Sequence, residues 1–156
     1  MTNNELWTFA LRCWKRPGVE KAALGLQDRW QLSVCLLLTG LWLGQQRVSP
    51  TAALAGRLRD LAYVWESERI APLRALRRQA SGRAEWGDWK RILQDAELEA
   101  ERLLLIELEC QVNALPLPAQ AEAGVDAWLL LLVPDMASCE ELAAALAALR
   151  DACDGC

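Results

Sequence analysis

Leu32-Ser33-Val34-Cys35-Leu36-Leu37-Leu38-Thr39-Gly40-Leu41-Trp42-Leu43 is the stretch whose reading decides the fold. A surface helix carries one apolar stripe, whereas these residues, with Trp30 before them, are apolar on nearly every side. A helix of that kind has to be surrounded by other helices. A membrane-spanning helix needs about 20 apolar residues, so this run and the shorter one from Ala127 to Val133 read as buried core. Asp28 and Gln31 stand at the spacing of a capping box, which predicts a helix start just after Asp28. The central helix is thus expected over about residues 29–43, closed by Gly44-Gln45-Gln46, with Gly40 admitting a neighbouring helix closely.

Working toward the start, Thr2 and Glu5 have capping-box spacing and open a helix over about 3–15. Leu6, Phe9, Ala10 and Cys13 form its apolar stripe, widened by Trp7, Leu11 and Trp14, until Pro17-Gly18 stops it. A short helix is expected over 19–26. Working toward the end, Ser49-Pro50 reads as an N-cap with proline at the first helical position. That helix passes Leu54, Leu58, Leu61 and Trp65 and ends or kinks at Pro72. Leu73 to Gln79 continue it, and Ala80-Ser81-Gly82 breaks it. A long helix follows over about 85–113, with Trp89, Leu93, Ala96, Ala100, Leu103 and Cys110 near one face and Asp95, Glu99, Glu101 and Arg102 outward. Leu115-Pro116-Leu117-Pro118 is a connector. Helices over 120–132 and from Ser138, capped with Glu141, to Ala152 complete the chain. The expectation is an all-α single bundle of six or seven helices over 1–152, with residues 153–156 a frayed end.

Composition agrees. Of 156 residues, 53% are apolar, enough for a core and against disorder. β-branched residues are scarce while Ala and Leu dominate, and both favour helix. There is no basic leader, which with six cysteines and an ample core points to reduced thiols in a cytoplasmic protein. Cys13, Cys35 and Cys110 read as small core residues.

The sequence holds no histidine, which removes the commonest general base and metal ligand. The Glu-x-x-His pairs of helical di-metal sites cannot be built. Asp95, Glu97, Glu99, Glu101, Glu107 and Glu109 therefore read mainly as a solvated face. Cys153-Asp154-Gly155-Cys156 is one C-x-x-C, short of a four-thiolate zinc site, and it follows a helix instead of opening one. No nucleophile elbow, phosphate loop or dinucleotide fingerprint occurs. No catalytic residue, metal or cofactor is assigned, and an enzyme is the less expected class.

Charge divides along the chain: residues 1–94 carry 15 Lys+Arg against 8 Asp+Glu, and residues 95–156 carry 2 against 13. The two halves can fold onto each other with complementary faces, or the basic half can meet an acidic protein partner. Arg69, Arg74, Arg77, Arg78 and Arg83 concentrate the positive charge, with Arg74, Arg77 and Arg78 at i, i+3, i+4. Aromatic residues do not interleave with them, and the sequence pI is about 5.0, so nucleic acid is not expected. Eight tryptophans read chiefly as core packing, or as a groove where several line one pocket. Capping accounts for Asp28, whereas Gln27 is expected to take a buried hydrogen-bonding role. The candidate binding residues are Arg69, Arg74, Arg77, Arg78, Trp7, Trp14, Gln27 and Asp28. Two functions follow: an interaction module with an arginine contact face, or a binder of, or enzyme on, an apolar anionic molecule such as a lipid or prenyl phosphate.

The succession Leu6-Trp7-Thr8-Phe9-Ala10, Pro17-Gly18-Val19, Leu26-Gln27-Asp28 and Val34 to Leu43 resembles an uncharacterised proteobacterial family of similar length, a domain of unknown function. The resemblance covers about residues 6–44 and implies a bacterial, cytosolic helical protein. It supplies no activity, cofactor or site residue. Trp14 departs from the pattern, where a smaller aromatic such as tyrosine is expected.

Overall fold

The computed structural model describes residues 4–115 and 124–156. Thr2, the prolines of the connector and residues 120–123, where the sequence places the start of a helix, lie outside that range. The described residues are helical with no strand, in eight α-segments. They run α1 Glu5–Trp14, α2 Val19–Trp30, α3 Val34–Gln45, α4 Ala52–Trp65, α5 Ala71–Ala80, α6 Gly87–Asn113, α7 Val125–Leu132 and α8 Glu140–Ala152. A π-helical turn, Glu66–Ile70, joins α4 to α5, so the eight segments make seven rods, as an all-α bundle of six or seven helices requires.

The central helix is α3. Every residue from Val34 to Gly44 is buried, and α1, α2, α4, α6 and α7 all pack on it. Its closest neighbour is α7. A Cβ on Gly40 would stand 2.8 Å from Leu132, and one on Gly44 would stand 2.5 Å from the Val125 backbone. Those two glycines, one turn apart, let the helices touch. Trp128 of α7 is wholly buried and donates its indole N–H to the Val48 carbonyl at 2.8 Å, which meets the usual need of a buried tryptophan.

Three expected caps move. The helix through Asp28 does not restart there: α2 continues to Trp30 and stops where Gln31 adopts a left-handed φ of 54°. Ser33 then caps α3, accepting the Leu36 N–H at 3.2 Å, so the central helix covers 34–45 and not 29–43. Thr51, extended in backbone, accepts the Leu54 N–H at 3.3 Å and opens α4 in place of Ser49. Ser138 is engaged with the Asp135 carbonyl, and the N-cap position of α8 falls on Cys139. In each case another residue one to five positions further along takes the cap, and local backbone geometry chooses it.

The π turn ends at Ile70, two residues before Pro72. In a regular helix the proline ring presses on the carbonyl four residues back, and the widened turn relieves that contact. Residues 153–156, expected to fray, form a hydrogen-bonded turn in which Cys153 is buried.

Candidate functional site

The long helix α6 is where the structure departs furthest from the sequence reading. Its buried stripe is Leu93, Glu97, Ala100, Leu104 and Leu108, flanked by Leu105, Glu109 and Val112. Trp89, Ile92 and Leu103 are exposed, as is Cys110. The expected face is therefore rotated, and two carboxylates assigned to solvent lie in the interior. They tolerate burial because each has partners supplied by another helix.

Glu97, 8% exposed, accepts from two guanidinium groups of α5. Arg74 Nε reaches its Oε1 at 3.1 Å and Arg77 Nε its Oε2 at 2.6 Å. Arg74 lies 3.6 Å from Glu66 and 3.9 Å from Glu101 as well. Burial pushes the Glu66 carboxyl above its usual range, against the pull of Arg74. Burial, reinforced by the negative charge of Glu97, raises Glu101 to about 7, against Arg74. The Cys35 thiol, which donates to the Glu101 backbone carbonyl at 3.8 Å, is held protonated by burial and by the charges of Glu101 and Glu66. Glu109 does something else. Its Oε2 accepts the Leu6 N–H at 3.3 Å, so it closes the first turn of α1 from across the fold.

Above this ionic floor opens a cleft of about 250 Å³ between α1, α2, α3 and α6. Trp7 and Trp14, two turns apart on α1, form one wall. Leu24 and Gln27 of α2, and Gln94 and Leu98 of α6, form the others, while Arg77, Glu97 and Glu101 lie at the base. Trp7 and Trp14 are only partly buried, and Leu11, Leu24 and Leu98 are exposed at the rim. The α1 flank is thus a cleft wall and not the widened core it was expected to be.

A second hollow adjoins the far side of the same ion pairs, lined by Gln27, Asp28, Gln31, Tyr63, Glu66, Arg74 and Arg78. Buried Gln27 borders both. Arg78 pairs with Asp28 at 2.8 Å in solvent. Arg69 borders neither hollow: its guanidinium lies 4.5 Å over the Trp65 ring and 3.8 Å from Glu68. The structure therefore brings Trp7, Trp14, Gln27 and Arg77 together in one cleft and Gln27, Asp28, Arg74 and Arg78 in the other. Sequence reasoning missed Glu97, Glu101 and Leu98 as site residues. The only signal for the two carboxylates was their i, i+4 spacing on α6, matched by Arg74 and Arg77 at i, i+3 on α5.

No group of three or more histidine, cysteine or acidic side chains among the described residues is arranged to hold a metal ion. No described helix is long and apolar enough to cross a membrane.

Residues 5–108 match the family described as "Protein of unknown function (DUF2390)". The chain belongs to that family, and every residue lining the first cleft falls inside the matched segment. Neither the curated proteins nor the solved structures yield a significant match.

Proposed function

We propose that this member of the DUF2390 family is a binding module whose first cleft takes a small apolar ligand carrying a neutral or cationic polar end. One observation carries the reading: two half-buried indoles and three exposed leucines surround an open hollow with ionised groups at its base. Leaving that much apolar surface in water is unfavourable by about 25 cal/mol per Å², and an apolar occupant removes the penalty. The volume lies just under the roughly 300–1,000 Å³ typical of drug-sized pockets, which suits one ring or a short chain and is small for a long lipid tail.

Charge decides the polar end. Glu66, Glu97 and Glu101 stand against Arg74 and Arg77 in the network, and both guanidinium groups are already engaged by Glu97. An anionic ligand would have to displace a short ion pair. An ammonium or hydroxyl instead finds the carbonyl and carboxylate acceptors of Gln27, Gln94 and Glu101. The same engagement speaks against Arg74 and Arg77 as a contact face for an acidic partner, since neither offers a free charge.

Calorimetric titration with phenethylamine, phenethyl alcohol and phenylpropionate tests this. The expected order of affinity is amine, then alcohol, then acid, with all three lost in Trp14→Ala while the helical circular dichroism persists. Heat from none of the three overturns the cleft as a binding site. Tightest binding by the acid overturns the assignment of the polar end.

A further inference from the structure

Another face of α1 holds a second chemistry. Cys13 is wholly buried there and packs against the turn that follows α8, where Cys153 is 1% exposed and Cys156 partly exposed. That turn is closed by the Cys156 N–H donating to the Cys153 carbonyl at 3.1 Å, with Gly155 in the left-handed region at φ 79°. Four residues in such a turn keep their outer Cα atoms within about 7 Å, and disulfides bridge Cα atoms about 4.4–6.8 Å apart. Arg16 pins the turn to α1: its Nε donates to the Ala152 carbonyl at 3.1 Å, and its guanidinium lies alongside Gly155. Gln45 donates to the Cys153 carbonyl at 3.3 Å.

The three sulfurs are unequal. The Cys153 thiol is pulled below its ordinary range by hydrogen bonding from Cys13, then by the Arg16 charge and the Cys156 thiol, against the effect of burial. Cys13 is pushed the other way, chiefly by the same bond to Cys153, and remains a protonated donor. A C-x-x-C that follows a helix lacks the help of a helix N-terminus. Here Arg16 and the buried Cys13 supply the equivalent from α1.

We propose that Cys153 and Cys156 are a redox-active dithiol that exchanges with low-molecular-weight disulfides, with Cys13 and Arg16 as positioning residues. Cys156, the more accessible sulfur, loses its proton to solvent and attacks the external disulfide. One sulfur–sulfur bond breaks, one small thiolate leaves and is protonated by water, and a mixed disulfide stands on Cys156. The Cys153 thiolate then attacks the Cys156 sulfur, forming the internal bond and releasing the second small thiol. Two protein thiols are oxidised and one external disulfide is reduced to two thiols, with no further reactant. Cys153 and Cys156 lie beyond the segment that matches the family, and neither lines the cleft.

The reduced protein, incubated with oxidised glutathione, alkylated and digested, tests the proposal by mass. The expected product links Cys153 to Cys156 and leaves the other four of the six cysteines alkylated. Cys153→Ser should trap one glutathione on Cys156, and Cys156→Ser should give no internal link. Arg16→Gln, outside the core, and Cys13→Ala should slow the second step about threefold. Without those partners the Cys153 thiol pKa rises and its thiolate fraction falls, while higher nucleophilicity returns part of that loss. Six alkylated cysteines in the wild type, or a link through Cys13, Cys110 or Cys139, would overturn the proposal. Unchanged rates in both positioning variants would overturn the roles of Cys13 and Arg16.

Discussion

Helices α3 and α6 both run through the interior, but they stay there for different reasons. Between Val34 and Gly44, α3 is buried throughout, and the hydroxyl of its one buried polar side chain, Thr39, bonds the Cys35 carbonyl of the preceding turn at 2.7 Å. It needs only apolar neighbours and, at Gly40 and Gly44, close ones. By contrast α6 buries Glu97 and Glu109, which need particular partners: two guanidinium groups for the first, the start of α1 for the second. A core of the first kind tolerates repacking, while one of the second kind fixes which helix meets which. The cleft lies where the two kinds meet, with Val34, Cys35 and Leu38 on one side and Glu97 and Glu101 on the other.

The sharpest way to break that comparison is Glu97→Ala. It strands Arg77, 25% exposed, and leaves Arg74, 11% exposed, only its longer contacts to Glu66 and Glu101, and should lower stability by about 3 kcal/mol in urea unfolding. Glu99→Ala, on the solvent side of the same helix, should leave the unfolding midpoint unmoved. Equal effects of the two would mean that the buried network holds nothing in place. On α3 the counterpart is Gly44→Ala. The new Cβ meets the Val125 backbone, which cannot swing aside as a side-chain tip can. A net loss of about 2 kcal/mol is expected, because overpacking outweighs the helix propensity gained. Gly56→Ala in α4, with nothing within 4 Å, serves as the control and should stabilise by about 0.5–1 kcal/mol. A stabilising Gly44→Ala would mean that α7 does not pack so closely.

These contrasts also explain what could be read from the chain alone. An unbroken apolar run announces α3 without reference to any other segment, and the helix breaks at Pro17-Gly18 and Ser81-Gly82 are equally local. Glu97, Glu101 and Glu109 recur along α6 in the pattern of a solvated stripe. Their burial depends on partners elsewhere: Glu109 finds Leu6 at a separation of 103 residues. Trp7 and Trp14 were legible as apolar and as neighbours on one flank of α1. Whether that flank meets another helix or an opening is decided by how far α2 and α6 stand away from it. Cys13 was read as core, which it is, but the thiols it faces come from the far end of the fold.

The last of the three effects, no larger than that of Gly44→Ala, concerns Glu101, and it depends on pH. Its folded-state value near 7 exceeds the ordinary carboxylate range because of burial first and Glu97 second, with Glu66 adding to the rise and Arg74 and Arg77 opposing it. Between that range and about pH 7 the folded protein keeps a proton that the unfolded chain releases. Stability therefore falls as pH rises through this window and levels off above it, by an amount on the order of 2 kcal/mol, the side chain being 31% exposed. Glu101→Gln keeps the shape and removes the titration. Urea unfolding should find variant and wild type alike near pH 4 and the variant more stable by roughly that amount at pH 8. Glu66 and Glu109, also raised by burial, give both proteins a slope of the same sign, so the difference between the two curves is what isolates Glu101. A difference that stays flat across the window would show a carboxylate already ionised in the fold, and the cleft would then carry the full Glu101 charge at neutral pH.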